Sequence, residues 1–94
     1  MKHAGPKALG KLQSFLGQLR KYEILEEKRP GIFYVKSKAF LHFHEDPEGI
    51  FMDAMLDNKD FSRFRVTTKQ EKKAALMKVD EYVSEIKYSR DQRT

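Results

Sequence analysis

The stretch from Gly31 to Leu56, GIFYVKSKAFLHFHEDPEGIFMDAML, constrains the fold more than any other part of the chain. It is rich in aromatic and β-branched residues, and two polar segments, Lys36-Ser37-Lys38 and Asp46-Pro47-Glu48-Gly49, cut it into three runs. Proline at the second position of the latter and glycine at its end suit a type I turn with a bulge glycine. The spacing therefore predicts strands at Ile32–Val35, Ala39–His44 and Ile50–Leu56, arranged as an antiparallel meander.

Turn length sets register. A DPEG loop that places Glu45 opposite Ile50 also pairs His44 with Phe51, Phe43 with Met52, His42 with Asp53 and Leu41 with Ala54. A two-residue loop at Ser37-Lys38 pairs Val35 with Phe40, Tyr34 with Leu41 and Phe33 with His42. One face then carries Ile32, Tyr34, Ala39, Leu41, Phe43, Ile50, Met52, Ala54 and Leu56, and reads as core. The other carries Phe33, Val35, Phe40, His42, His44, Phe51, Asp53 and Met55. That is more apolar than the solvated side of an antiparallel sheet usually is.

The meander is flanked by helical periodicity. Leu9, Leu12, Phe15, Leu16 and Leu19 recur at three- and four-residue spacing behind Pro6, which suits the first turn of a helix. Gly10 and Gly17 interrupt this stripe, and Ile24 and Leu25 could extend it before Arg29-Pro30-Gly31 ends it. Towards the other end, Thr68-Lys69-Gln70-Glu71 fits a capping box ahead of the stripe Ala75, Leu76, Val79, Tyr82, Val83 and Ile86. Between strands and helix, Phe61, Phe64 and Val66 suggest a loop pinned to the core with Arg63 and Arg65 turned outward. The fold class expected is α+β, with a three-stranded antiparallel meander between N- and C-terminal amphipathic helices (α-β-β-β-α). Residues 1–94 read as one small domain, with 1–5 and 88–94 frayed.

Charge narrows the choice of partners. The net charge is +5, but basic ends enclose an acidic middle: residues 32–60 hold three Lys against six Asp and Glu. The absence of cysteine removes disulfide, thiolate-metal and thiol-nucleophile chemistry and fits a reducing, cytoplasmic setting. No window approaches the roughly 20 apolar residues of a membrane span.

Three groups of side chains could carry function. His42 and His44 alternate along one strand with Asp53 across from His42, so a carboxylate could fix an imidazole tautomer beside Phe33, Phe40, Phe51 and Met55. These seven residues form the ligand or interface candidate. As a metal site the pair lacks further ligands, because Glu45 projects to the other face and His3 falls in an end expected to fray. No metal, cofactor or catalytic residue is therefore assigned. The second group is the basic stripe Lys7, Lys11 and Lys21, with Arg63 and Arg65, which could meet nucleic-acid phosphates. The third is the apolar second face as a whole, which a second copy of the chain or another protein would cover.

The segments KAFLHFHEDPEGIFMDAML and DFSRFRVTTKQEKKAAL resemble a small bacterial protein family that carries an AFLHFHED-like strand, an acidic third strand and an F-x-R-F-x-V-x-T segment before its last helix. The likeness covers residues 38–76. It implies a compact domain and, since that family has no assigned activity, no catalytic residue. Together these readings point to a small non-enzymatic binding or interaction domain, self-associating through one sheet face, with nucleic-acid binding as the alternative and a histidine-based metal or ligand site behind both.

Overall fold

The computed structural model describes the backbone of residues 1–92 and the side chains of residues 1–86. The protein is α+β: a strand β1 (Lys2–His3), short helices α1 (Pro6–Gly10) and α2 (Gln13–Leu19), strands β2 (Glu26–Arg29), β3 (Ile32–Val35), β4 (Lys38–Asp46), β5 (Gly49–Ala54) and β6 (Ser62–Arg65), and a long helix α3 (Lys69–Gln92). All strand pairs are antiparallel, in the order β2-β3-β4-β5-β6. The sheet is wider than the sequence suggests by three strands. Among the described residues no helix is long and apolar enough to cross a membrane.

The β4–β5 hairpin has the expected register, from Leu41 opposite Ala54 to Glu45 opposite Ile50. Asp46 pairs with Gly49, and the Asp46 carboxylate accepts the Glu48 amide to fix the loop. Gly49 has φ +147, and a Cβ there would meet the Thr67 hydroxyl.

The β3–β4 hairpin departs from expectation. Its turn is Lys36-Ser37, with φ of 50° and 69°, the mirror-image geometry that matches strand twist. Tyr34 faces Ala39 and Phe33 faces Leu41, leaving Phe40 as the extra residue of a bulge. Side chains on β3 consequently change sides. Phe33 and Val35 are buried in the core, while Ile32 and Tyr34, expected there, are only half covered. Phe40 also turns inward and stacks on Tyr82 of α3, with ring centroids 4.8 Å apart.

Residues 1–5, expected to fray, contribute β1. Because β4 is nine residues long and β3 only four, the second half of one β4 edge is free, and β1 occupies it with Lys2 opposite Glu45 and His3 opposite His44. The Ala4 amide continues the ladder to the Phe43 carbonyl. The Gly5 amide donates to Glu45 Oε2 at 2.7 Å, at the entry to α1. At the other end α3 continues through residues 88–92, and residues 93 and 94 lie outside those described.

The single N-terminal helix expected is broken after Gly10. Lys11 and Leu12 donate to the carbonyls three residues back, and four-residue spacing resumes with Leu16 to Leu12. The segment 61–66, read as a loop, is largely strand β6, paired with β5 so that Phe64 joins Met52 and the arginines take the opposite side.

Both helical regions cover one face of the sheet. Phe15 of α2 meets Phe43 edge-on at 6.0 Å, and α3 contributes Ala75, Val79, Tyr82 and Val83 to the same core as Leu41, Met52 and Ala54. Tyr22, just past α2, donates to Asp80 of α3 at 2.8 Å. The capping box at α3 is formed as expected: Glu71 N–H donates to Thr68 Oγ1, and Thr68 N–H to Glu71 Oε1. Among the described residues no helix packs over the opposite face of β4, β5 and β6, which carries His42, His44, Phe51, Asp53 and Arg63.

Candidate functional site

The uncovered face gathers its polar groups around one point. Strand alternation puts His42 and His44 on that side of β4, and pairing with β1 adds His3. The rings of His3 and His44 lie 4.6 Å apart, those of His42 and His44 4.8 Å, and those of His3 and His42 6.0 Å. One ring nitrogen from each of the three falls within 4.8 Å of the others. Phe61, at the entrance to β6, packs its ring 4.9 Å from His42.

Behind the imidazoles lies Asp53, only 5% exposed. Arg63, its partner across β5 and β6, grips both carboxylate oxygens, Nε to Oδ1 at 2.8 Å and Nη2 to Oδ2 at 2.9 Å. This two-armed grip holds the Asp53 carboxyl below its ordinary range, against the opposing effect of burial. Although His42 is its strand partner, the carboxylate reaches along the diagonal to His44, whose Nδ1 is 3.0 Å from Oδ2. That distance allows an ion pair with a protonated imidazole, but His44 Nδ1, shielded from solvent, makes no hydrogen bond.

His42 Nδ1 is shielded from solvent and has no hydrogen-bond partner. An orphaned buried nitrogen ordinarily costs ~1–3 kcal/mol. Burial, followed by the neighbouring His44, pushes the His42 pKa down, so its neutral form is favoured.

Of the seven ligand or interface candidates, the structure brings together His42, His44, Asp53 and Phe51, the last half-buried opposite His44 and Arg65. Phe33 and Phe40 belong to the core instead, and half-buried Met55 lines a cleft with Phe40 and Tyr82 beside α3. Their departure removes most of the apolar surface on which self-association was argued. His3 and Phe61 were missed. A two-residue charged strand offers no periodicity to read, and Phe61 looked like an anchor for the core, whereas it is 41% exposed.

Of the basic candidates, Lys7, Lys11 and Arg65 are brought together with Lys72 around one cleft of about 520 Å³, but Glu45, Asp46 and Glu48 share it and offset their charge. Lys21 lies beyond the end of α2. Arg63 is committed to Asp53, and Arg65 to Glu71 and the Glu48 carbonyl. The chain matches no family model, no curated protein and no solved structure, so the likeness to a bacterial family drawn from residues 38–76 gains no support and the reading of this site rests on its own geometry.

Proposed function

We propose that the chain is a small non-enzymatic binding domain whose working surface is the uncovered face of the sheet, with the three imidazoles as the seat of its ligand. The observation that carries this reading is the convergence of His3, His42 and His44 from two strands onto one point, with the Phe61 ring against His42, while both helical regions pack on the other side. Binding is favoured over proton transfer because the adjacent carboxylate is a poor base. Asp53 is held by both arms of Arg63 and kept ionised below its ordinary range, which suits it to orient His44 rather than to accept a proton.

Self-association through this face is the second reading, supported by exposed Phe61 against His42 and by half-buried Phe51 opposite His44. Nucleic-acid binding has less support, since the arginines assigned to it are occupied by carboxylates.

Mapping by amide and histidine-ring resonances tests the proposal. Inorganic phosphate, acetate and divalent cations are titrated separately, and at least one should produce saturable shifts centred on residues 3, 42, 44, 51 and 61. Shifts confined to the helical side, or none at all, would refute the assignment of this face.

A further inference from the structure

We infer that His3, His42 and His44 together form a three-imidazole site for a divalent transition-metal ion of the zinc class. This rests on the reading of the uncovered face given above and names the ligand of that face.

The first support is distance. Nitrogens no more than 4.8 Å from one another all lie within about 2.8 Å of a common point, against the roughly 2.0–2.1 Å of a zinc–imidazole bond. The gap of about 0.7 Å is within reach of small rotations about side-chain bonds, and the rings already lie within 6.0 Å of one another. The second support is the state of the nitrogens. His42 Nδ1 is out of contact with solvent and has no hydrogen-bond partner, so this nitrogen is not committed to any other group among the described residues. His44 Nδ1 is likewise shielded and without a hydrogen-bond partner, and it stands 3.0 Å from the Asp53 carboxylate, which leaves Nε2 turned away from the acid. A carboxylate behind a ligating imidazole fixes the tautomer and raises its basicity, the usual support of metal-bound histidine. Asp53 acts only as this support, because Arg63 already occupies both of its oxygens.

The donor set selects the class of ion. Three imidazoles, without thiolate or carboxylate donors among them, suit zinc and its first-row neighbours and not magnesium or calcium, which require oxygen ligands. Three protein ligands leave the fourth tetrahedral position to water or to an incoming donor. His3 gives the site its long reach, since β1 joins the trio only through its pairing with β4.

The decisive experiment titrates Zn²⁺ into tag-free, chelator-stripped chain, with histidine-ring resonances and calorimetry as readouts. A single equivalent should move the rings of His3, His42 and His44 together, and Mg²⁺ should move none. His3→Ala and His42→Ala should each weaken binding by at least about tenfold. His3 is exposed at the end of the sheet, so its variant keeps the test decisive if His42→Ala compromises folding. Zinc binding that survives His42→Ala in a folded chain, with shifts limited to His3, would overturn the shared site. Rings unmoved by Zn²⁺ but shifted by inorganic phosphate would overturn the metal assignment while leaving the face as a ligand site. Rings unmoved by both would overturn the two readings together.

Discussion

Residues 42 and 43 are neighbours on β4, yet they serve opposite faces of the sheet. Phe43 is 2% exposed and meets Phe15 of α2; His42 looks away from the helices and leaves a ring nitrogen without a partner. The covered face is held by close-packed apolar side chains, of which Phe33, Leu41 and Met52 are fully buried. The uncovered face is held by a carboxylate, a guanidinium and three imidazoles. Stability and binding capacity thus occupy the two sides of one ribbon, and substitutions a single position apart should separate them.

The largest effect should come from the covered face. Phe43→Ala is expected to cost about 3–5 kcal/mol, read as a fall in denaturation midpoint without change in slope. His42→Ala, one residue earlier, should cost about 1 kcal/mol or less, because the lost contact with Phe61 is offset by removal of an unsatisfied nitrogen. Equal losses would erase the distinction between the faces. A marked gain in stability for His42→Ala would sharpen it, since residues kept at a cost to folding are those a ligand requires.

Next in size is the ionic support of the uncovered face. Arg63→Ala leaves the Asp53 carboxylate buried without its main partner, an exposure to desolvation of about 1–3 kcal/mol. The pH dependence has a definite sign. Arg63 lowers the folded-state pKa of Asp53 below its unfolded value, so this contribution is present above the ordinary 3.8 and is lost as pH falls through the still lower folded value. The variant should therefore lose stability at neutral pH and show a weaker acid dependence than the parent chain below pH 3.8. Parallel acid curves for the two would mean that the pair is not coupled to folding.

How much of this could be read from the sequence differs between the two hairpins. Pro47 and Gly49 confine the β4–β5 turn to one loop length, so the pairing of His42 with Asp53 was legible, and with it the common side of His42 and His44. The β3–β4 turn uses Lys36 and Ser37 at positive φ, where sequence preference favours glycine or asparagine. The polarity of Lys36-Ser37-Lys38 marks a turn but not which two residues form it, and nothing marks the bulge at Phe40, which puts Phe33 and Val35 on the core face instead. The edge strand Glu26–Arg29 is charged throughout, as edges that resist further pairing often are, and so gives no apolar alternation. Phe64 between two arginines did carry a period of two, visible in Ser62–Arg65 but too short to separate from a pinned loop. His3 was out of reach of pattern reading because its place depends on the unequal lengths of β3 and β4.

A smaller effect concerns what the uncovered face presents to another molecule. Phe51→Asp combined with Phe61→Asp changes only this side of the sheet, since Phe51 pairs with Arg65 and Phe61 contacts His42. Sedimentation velocity should show a lighter species than the parent if the face mediates self-association. An unchanged sedimentation coefficient would leave the imidazoles, without the aromatic rings, as the working part of the surface.

The smallest expected change lies at the start of α3, remote from the imidazoles. Thr68→Ala removes the hydroxyl that accepts the Glu71 amide and should cost about 1 kcal/mol. Glu71 accepts the Thr67 and Thr68 amides and Arg65 in return, and the Thr68 amide is the foremost cause of its lowered pKa. Its contribution is accordingly present above its ordinary 4.5 and lost as pH falls through the lower folded value, so removing the hydroxyl should leave most of the acid dependence in place. Arg65 links this cap to β6 and, through the Glu48 carbonyl, to the β4–β5 turn. A loss confined to about 1 kcal/mol, with zinc affinity unaltered, would show that the cap stabilises the covered side independently of the site. A change in zinc affinity would instead mean that the position of β6, and with it the hold of Arg63 on Asp53, is transmitted from the helix start to the opposite face.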